Sequence, residues 1–270
     1  MKKLYHQRLD GIEAGLNAIE KATKRAVALS EANIGVVHTG RQNRVLFVFA
    51  KMIAHNMSSI GIIRTAIFAE KGASLLDHFS VAALGRISID AAIMTLYLSE
   101  PSLTLAEWNL RRHLLYLHND TNRKRFLDAM VKAEGVTSTD HLEGYAEAKA
   151  ARHAAIETYG KEAGLSQDKV EKLLKGEVFV SGVRGAVREA GLNLEAWEAH
   201  NAYFSPYIHA HPVSFMRADQ HAIAFDEPSP YQKYLCNYVT GVVAGYTEAV
   251  NNRIEAFCRD IADDPLGHVE

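Results

Sequence analysis

The stretch YFSPYIHAHP, residues 203–212, sets a serine and two histidines close together. Ser205 lies four residues before His209, and His211 follows two residues later. A residue before a proline is kept out of the α region, so Ser205 and His211 are both predicted to be extended or turn-like. Ser205 is then expected to cap a single helical turn that starts at Pro206, with its hydroxyl bound to a backbone amide. This arrangement argues against a serine nucleophile.

His209 and His211 are also candidate metal ligands, because neutral imidazole binds zinc. Residues two apart share a face only in extended backbone, and a third ligand would have to come from farther along the chain. One alternative is a histidine hydrogen-bonded at a helix junction. Another is a ligand or RNA site at His209, where Ser205, Tyr207 and Arg217 would contribute to binding.

A second charged group lies in LGRISIDAAIMTLYL, where Arg86 and Asp90 stand four residues apart. On a helix this spacing brings both side chains to one face, here among apolar neighbours. Burying a guanidinium and a carboxylate is costly unless they bind each other or line a hydrated groove. The pair is interpreted either as a structural ion pair that orients helices or as part of a site inside the bundle.

A third candidate is the stretch NLRRHLLYLHND, in which Arg112 precedes His118 with five residues between them. This spacing resembles the ribonuclease motif of HEPN-domain proteins. The resemblance implies that His118 would assist attack by a ribose 2′-hydroxyl while Arg112 stabilises the phosphoryl charge, with no metal. The alternative is a basic, partly exposed helix face.

The composition is that of an ordinary globular protein. The chain has 270 residues and a mass of 29.9 kDa, with 48% hydrophobic and 23% charged residues. Its formal net charge of -2 and pI near 6.7 do not indicate a strongly basic nucleic-acid binder. Two cysteines are too few for a disulfide framework, which favours a reducing cytoplasm.

Hydrophobic periodicity is helical almost throughout, and it predicts an all-α fold. We expect a single bundle of about six to eight helices, forming one domain over residues 1–270. An alanine-rich, thinly hydrophobic stretch predicts a small helical insertion at 138–192. No cofactor is expected.

The N-terminus lacks an unbroken apolar segment, so no signal peptide is expected. The most apolar stretch, residues 45–64, is interrupted by Lys51, His55 and Asn56 and is interpreted as a buried helix rather than a membrane span. The last predicted helix places Tyr231, Tyr234 and Tyr238 at helical spacing, which is interpreted as a core or interface stripe.

Several stretches together resemble a family of uncharacterised bacterial all-helical proteins, distantly grouped with HEPN-like domains. The resemblance covers roughly residues 45–260, including ALGRISIDAAIMTLYLSEP and YFSPYIHAHP. The matching positions are Arg86 and Asp90, followed by Ser205, Ile208 and His209. The resemblance implies a helical bundle in bacterial defence or mobile-element settings, frequently dimeric. The six residues before His209 contain no arginine, unlike the HEPN ribonuclease motif.

Three function classes follow from these patterns. The first expectation is a non-catalytic helical interaction protein, whose partner would be a second copy or another protein. The alternatives are a HEPN-like metal-independent ribonuclease or toxin, and a metal-dependent hydrolase or small-molecule-binding protein that uses the His209–His211 turn. RNA is not indicated by the net charge, and no membrane is expected. We expect Arg86, Asp90, Ser205 and His209 to meet at one bundle junction, which would carry any catalysis.

Overall fold

The computed structural model describes residues 10–68, 75–135, 143–209, 211–216, 218–223 and 227–267. These ranges contain nine α-helices, two short 3₁₀ helices and no strand. The α-helices are α1 Glu13–Ala32, α2 Gly40–Phe68, α3 His78–Leu98, α4 Leu105–Glu134, α5 Tyr145–Glu162, α6 Gln167–Leu174, α7 Gly182–Glu189, α8 Leu194–Ile208 and α9 Pro230–Phe257. The 3₁₀ helices are Pro212–Ser214 and Ile261–Asp263. The predicted all-α fold is confirmed, and the number of helices is close to the six to eight expected.

Helix ends are set by local side chains. Thr104 caps α4 in a capping box with Glu107. Ser229 caps α9 in a second capping box, and Pro230 occupies the first helical turn, where its missing N–H costs nothing. These short-range signals fix where the long helices begin.

The chain divides into two compact units. The larger unit consists of residues 1–99 and 192–270, and the smaller one of residues 100–191. The smaller unit is thus inserted between two segments of the larger one along the sequence. The insertion expected at 138–192 and the single domain over 1–270 stay predictions.

The larger unit is built around α9, which packs against α1 and α3, while α2 and α8 also pack on α3. Gly15 allows the close approach of α1 to α9, since a Cβ there would lie 2.1 Å from the carbonyl oxygen of Asn237. The Gly15 amide also donates to Asn237 Oδ1 over 2.7 Å. Fully buried side chains at this centre include Ile12, Ile19, Phe49, Ile89, Ile93, Leu235 and Val250.

A buried ion pair joins α2 to the C-terminal segment of the larger unit. Arg41 Nη1 lies 3.1 Å from Asp264 Oδ1, with the two side chains 1% and 0% exposed. Arg41 Nε donates to the Leu98 carbonyl at the end of α3 over 2.8 Å, which satisfies one of the helix's free carbonyls. Thr39 Oγ1 donates to Asp264 Oδ2 over 2.6 Å. Hydrogen bonds therefore surround both charges.

The smaller unit has its own apolar core. Helix α5 packs on α4 and on α6. The core side chains come from all three helices and are Leu110, Leu114, Leu117, Ile156, Val170 and Leu173. Gly160 lets α6 approach α5, because a Cβ there would lie 2.8 Å from Cγ2 of Val170.

The expected helix break at Ser205 is wrong. Helix α8 continues from Leu194 to Ile208 with Pro206 inside it. Ser205 does not cap a new turn; its hydroxyl donates to the Asn201 carbonyl over 2.6 Å, a helical i−4 bond. Pro206 lacks the amide that would donate to the Ala202 carbonyl one turn earlier, so the helix continues with one bond of its ladder missing.

Candidate functional site

The candidate site lies in the larger unit, where α3, α8 and α9 meet, and we call it the Arg86 junction: Asp90, Arg86, Ser205, Tyr246 and His200. Its spacing is set by Gly85, the residue before Arg86. A Cβ on Gly85 would lie 2.3 Å from Val239 Cγ1, so α3 and α9 pack closely here. Arg86 is consequently held against α9 and α8 with its side chain only 13% exposed.

Arg86 binds two of the residues that the sequence singled out. Its Nε donates to Ser205 Oγ over 3.3 Å. Its Nη1 forms an ion pair with Asp90 Oδ1 and makes no hydrogen bond among the described residues. Asp90 is half exposed, at 50%. Arg86, Asp90 and Ser205 therefore come together, as expected.

Tyr246 and His200 complete the junction, and the sequence analysis missed both roles. Tyr246 OH lies 3.2 Å from His200 Nδ1. Burial raises the pKa of Tyr246 to about 12, against an opposing effect of the Arg86 charge. Burial also lowers the pKa of His200, so both groups are neutral at pH 7. His200 stacks on Phe204 four residues later, a helical spacing that could have indicated a buried histidine.

Three tyrosine hydroxyls meet beside the junction. Tyr231 OH lies 3.1 Å from Tyr207 OH and 3.4 Å from Tyr203 OH. His221 stacks on the Tyr231 ring with the centroids 3.7 Å apart. Burial, followed by the hydrogen bond with Tyr231, raises the pKa of Tyr203. Tyr207, expected as a ligand-binding residue, is thus part of an aromatic cluster on α8 and α9.

His209 and His211 lie at the exposed end of α8. Their ring centroids are 5.4 Å apart. Within the described ranges, His209 makes no hydrogen bond or ion pair with Arg86, Asp90 or Ser205. Its place at the Arg86 junction stays a prediction.

Two further predictions concern a metal site at His209 and His211 and ligand binding by Arg217. No group of three or more histidine, cysteine or acidic side chains that could hold a metal is found in the part of the chain that the structure describes. Arg217, the remaining expected ligand-binding residue, lies outside the described residues.

Arg112 and His118 belong to the smaller unit, on α4. Six residues along an α-helix turn the side-chain direction by about 240°, so the two side chains point about 120° apart and are displaced by about 9 Å along the axis. His118 is exposed and its ring is contacted by the Asn122 side-chain amide. Arg112 is partly buried beside His113. The structure does not direct this pair toward one point.

Among the described histidines of the smaller unit, His113, which lies next to Arg112, has the pKa that its surroundings shift most. Burial, and then the charges of Arg112 and Arg152, lower the pKa of His113 to about 4. Its ring stacks on Tyr159, with centroids 5.6 Å apart, and its Nδ1 is buried without a hydrogen bond. Farther along α4, an open groove of about 430 Å³ is lined by Asp120, Arg123, Lys124, Leu127, Glu143, Gly144, Tyr145, Ala148 and Arg152.

Helix α2 carries an exposed apolar face that the sequence analysis did not foresee. The helix was expected to be buried, but only 33% of its most apolar window is buried, compared with 67% in α3. Both helices are long and apolar enough to cross a membrane by length and composition. We define the α2 face as the exposed residues at alternating steps of four and three: Asn43, Phe47, Ala50, Ala54, Met57, Gly61, Arg64 and Phe68. Phe47, Met57 and Phe68 are 76%, 57% and 49% exposed.

The chain was compared with protein families, curated proteins and solved structures. No protein-family model, no curated protein and no solved structure matches this chain.

Proposed function

We propose that this chain is a non-catalytic helical interaction protein and that the α2 face is its binding surface. The observation that carries the proposal is the exposure of Phe47, Met57 and Phe68 along one face of α2. The largest contiguous apolar patch on a protein surface is often a binding site. A spacing that alternates between four and three residues is that of a helix packed against another helix.

The chemistry of the Arg86 junction supports a structural role rather than catalysis. Arg86 is engaged by Ser205 and Asp90, and Ser205 uses its own proton on the Asn201 carbonyl. The His200 imidazole is neutral but bound to the Tyr246 hydroxyl. The hydroxyl groups of this junction are therefore used within it, Tyr246 on His200 Nδ1 and Ser205 on the Asn201 carbonyl.

The ribonuclease and hydrolase alternatives lead to a direct test. Purified protein is incubated with total RNA, with and without a chelator, and we expect intact RNA in both conditions. Cleavage in chelator that survives Arg112→Ala but is lost in His209→Ala would overturn the proposal in favour of a ribonuclease at the α8 end. Cleavage that the chelator abolishes would overturn it in favour of a metal-dependent hydrolase.

The binding role is tested with a photoreactive amino acid placed at Phe47 and, as a matched control, at Ala199, an exposed position on α8. Illumination of cells that express each variant should give an adduct of discrete mass from position 47 and none from position 199. A Gly61→Leu substitution on the same face should remove the adduct. Equal adducts from both positions, or none from position 47, would contradict a binding role for the α2 face.

A further inference from the structure

A groove in the smaller unit has the size of a small-molecule site. It lies between α4 and α5, which pack on each other, and its volume of about 430 Å³ falls within the roughly 300–1,000 Å³ of ligand pockets. The residues of its α4 wall stand on one face of that helix and are Asp120, Arg123, Lys124 and Leu127. The α5 wall consists of Tyr145, Ala148 and Arg152, with Glu143 and Gly144 just before the helix. We call this site the α4–α5 groove.

Arg152 brings a guanidinium with an unused donor to the α4–α5 groove. Its Nε is buried from solvent and makes no hydrogen bond within the described ranges, although Asp120 Oδ2 lies 3.8 Å away. Its guanidinium carbon lies 4.6 Å from the centroid of the Tyr116 ring, and this contact holds the side chain beside the groove. An unpaired buried donor costs free energy, so a native protein usually supplies it with an acceptor. An anionic group bound in the groove is such an acceptor.

Arg123 brings a second guanidinium from the facing helix. Its side chain is exposed, and no ion pair or hydrogen bond engages it among the residues that the structure describes. Its neighbour Lys124 is already bound to Asp128, over 2.5 Å. Two guanidiniums on opposite walls can hold one phosphate group between them, because the guanidinium fork matches phosphate oxygens. The arginines of the α4–α5 groove therefore favour a phosphate.

Two carboxylates, Asp120 and Glu143, lie in the same lining and require a second kind of group on the ligand. An ionised carboxylate only accepts hydrogen bonds, and the hydroxyl groups of an organic molecule are donors of the matching kind. Glu143 makes no hydrogen bond or ion pair over the described ranges, so both of its oxygens are available. Leu127 and Ala148 add apolar surface for the carbon skeleton of such a molecule. A ligand that matches the whole lining carries a phosphate and several hydroxyl groups.

We propose that the α4–α5 groove binds a phosphorylated sugar, free or as part of a nucleotide. Its phosphate lies on Arg123 and Arg152, and its hydroxyl groups donate to Glu143 and Asp120. The site is contained in the smaller unit, and the inference does not rest on the binding role of the α2 face.

An RNA strand is the less favoured occupant of the α4–α5 groove. The seven helical steps from Asp120 to Leu127 advance by about 10 Å along α4, which is room for one sugar phosphate rather than for an extended strand. Binding of a nucleic acid strengthens with the number of phosphates that cations neutralise, whereas two carboxylates line this groove. A single phosphate on a hydroxyl-bearing group fits both observations.

The first experiment measures the chemistry of the ligand. Isothermal titration calorimetry of the full chain with glucose 6-phosphate should show one saturable site. Inorganic phosphate should bind about tenfold more weakly, because it lacks the sugar hydroxyl groups that donate to the two carboxylates. Glucose alone should not bind measurably. Equal affinities for inorganic phosphate and the sugar phosphate would mean an anion site only and would overturn the inference.

Adenosine monophosphate and a short single-stranded RNA distinguish the sources of the phosphate in the same calorimeter. Adenosine monophosphate that binds more tightly than glucose 6-phosphate would support the inference and assign the sugar phosphate to a nucleotide. Failure of both esters to bind at millimolar concentrations would overturn it. RNA that binds more tightly than either ester would replace the small molecule with a nucleic acid.

The arginine contacts are tested with Arg123→Met, which should weaken binding of the sugar phosphate by about tenfold or more. The thermal unfolding midpoint should not change, because Arg123 makes no ion pair or hydrogen bond with any other described residue. Arg125→Met is the matched control, since Arg125 is exposed on the same helix but does not line the groove. Equal losses of affinity in the two variants would indicate general charge attraction and contradict a defined site.

Glu143→Gln separates recognition of the sugar from recognition of the phosphate. A neutral amide is a weaker acceptor than a carboxylate, so the affinity for the sugar phosphate should fall. The affinity for inorganic phosphate should stay the same or rise, because a negative charge has been removed from the lining. A rise in both affinities would show that Glu143 only repels anions, and the proposed role of the hydroxyl groups would be wrong.

Discussion

Two arginines with buried or nearly buried side chains in the larger unit, Arg41 and Arg86, pair with aspartates, and the two sites differ in how completely their polar atoms are satisfied. Arg41 and Asp264 are both fully buried, and a backbone carbonyl and a threonine hydroxyl complete their hydrogen bonds. Arg86 is nearly buried, but its partner Asp90 is half in solvent, and Arg86 Nη1 makes no hydrogen bond.

This difference separates a structural pair from an adaptable one. A buried charge is tolerable when every donor and acceptor around it is used, and removing one partner then leaves the other uncompensated. A pair with one member in water can rearrange, because solvent replaces what is lost. The Arg41 pair should therefore hold the fold, whereas the Arg86 junction should tolerate change.

The largest effect is expected from Arg41→Met, which leaves Asp264 as a buried, unpaired carboxylate. The free energy of unfolding of the larger unit should fall by about 3–5 kcal/mol. Urea unfolding can be followed for this unit alone in a Trp108→Phe background. The chain has two tryptophans, one in each unit, so Trp197 then reports only on the larger unit.

The matched control replaces both charges. Arg41→Met combined with Asp264→Leu should be less destabilised than Arg41→Met alone, because no unpaired charge remains. A loss below about 1 kcal/mol in the single variant would show that the Arg41 pair resembles a surface pair, and the comparison would fail.

A smaller loss of unfolding free energy is expected from Gly85→Ala, which tests the close packing of α3 on α9 at the Arg86 junction. The new methyl group would lie 2.3 Å from Val239 Cγ1, so α3 and α9 must separate. The unfolding free energy should fall by about 1–3 kcal/mol. Gly245→Ala on α9 is the control, since a methyl group there meets nothing within 4 Å among the described residues and should stabilise the helix by up to about 1 kcal/mol. Equal effects at the two glycines would contradict the close packing at Gly85.

The smaller unit extends the comparison to an unsatisfied buried histidine. The pKa of His113 is about 4 in the folded unit, below its ordinary value of about 6.5. The unfolded chain therefore binds a proton first as the pH falls. The contribution of His113 to the free energy of unfolding should be constant above about pH 6.5 and should decline as the pH falls toward about 4. It declines because only the unfolded chain protonates His113 in that range.

His113→Phe removes the titrating group and keeps a ring against Tyr159. Its unfolding free energy should decline less between pH 6.5 and 4 than that of the wild-type unit. Trp108 fluorescence in a Trp197→Phe background reports on the smaller unit alone. An unchanged decline would assign the pH dependence to other groups, and Arg112 and Arg152 would then not act through His113.

The elements of the fold were predictable because helices carry their signals locally. The start of α4, for example, is marked within four residues by Thr104 and Glu107, which form its capping box, and its end by Gly135. The break predicted at Ser205 failed because the residue before a proline has only a local preference against the α region, and α8 is held as a helix by its packing on α3. A rule that treats every internal proline as a stop overlooks such tertiary packing.

The site was predictable where its members stand as polar residues within apolar helices or at their ends, as Arg86, Asp90 and Ser205 do. Arg86 and Asp90 stand four apart on one helix, so their pairing follows from helix geometry. The Arg41–Asp264 pair joins residues 223 apart, and nothing in either local sequence indicates the other. Tyr246 and His200 were missed for the same reason, since only the packing of α8 on α9 brings them together. The α2 face was missed because an apolar helix reads as buried unless its neighbours are known.

The smallest change in unfolding free energy is expected from Arg86→Met. In Arg86→Met the aliphatic part of the side chain is kept, Asp90 turns to solvent, and Ser205 keeps its hydrogen bond to Asn201. The unfolding free energy should change by no more than about 1 kcal/mol, measured through Trp197 as for Arg41→Met.

A loss at Arg86 as large as that at Arg41 would show that the Arg86 junction is also structural, and the comparison would not hold. A double-mutant cycle with Asp90→Asn locates the source of any loss. Coupling close to zero means that Asp90 exchanges freely with water, which is the property that distinguishes this pair from Arg41 and Asp264. Strong coupling would instead mean that the half-exposed carboxylate is held in place, and that the exposure of one partner does not by itself make an ion pair adaptable.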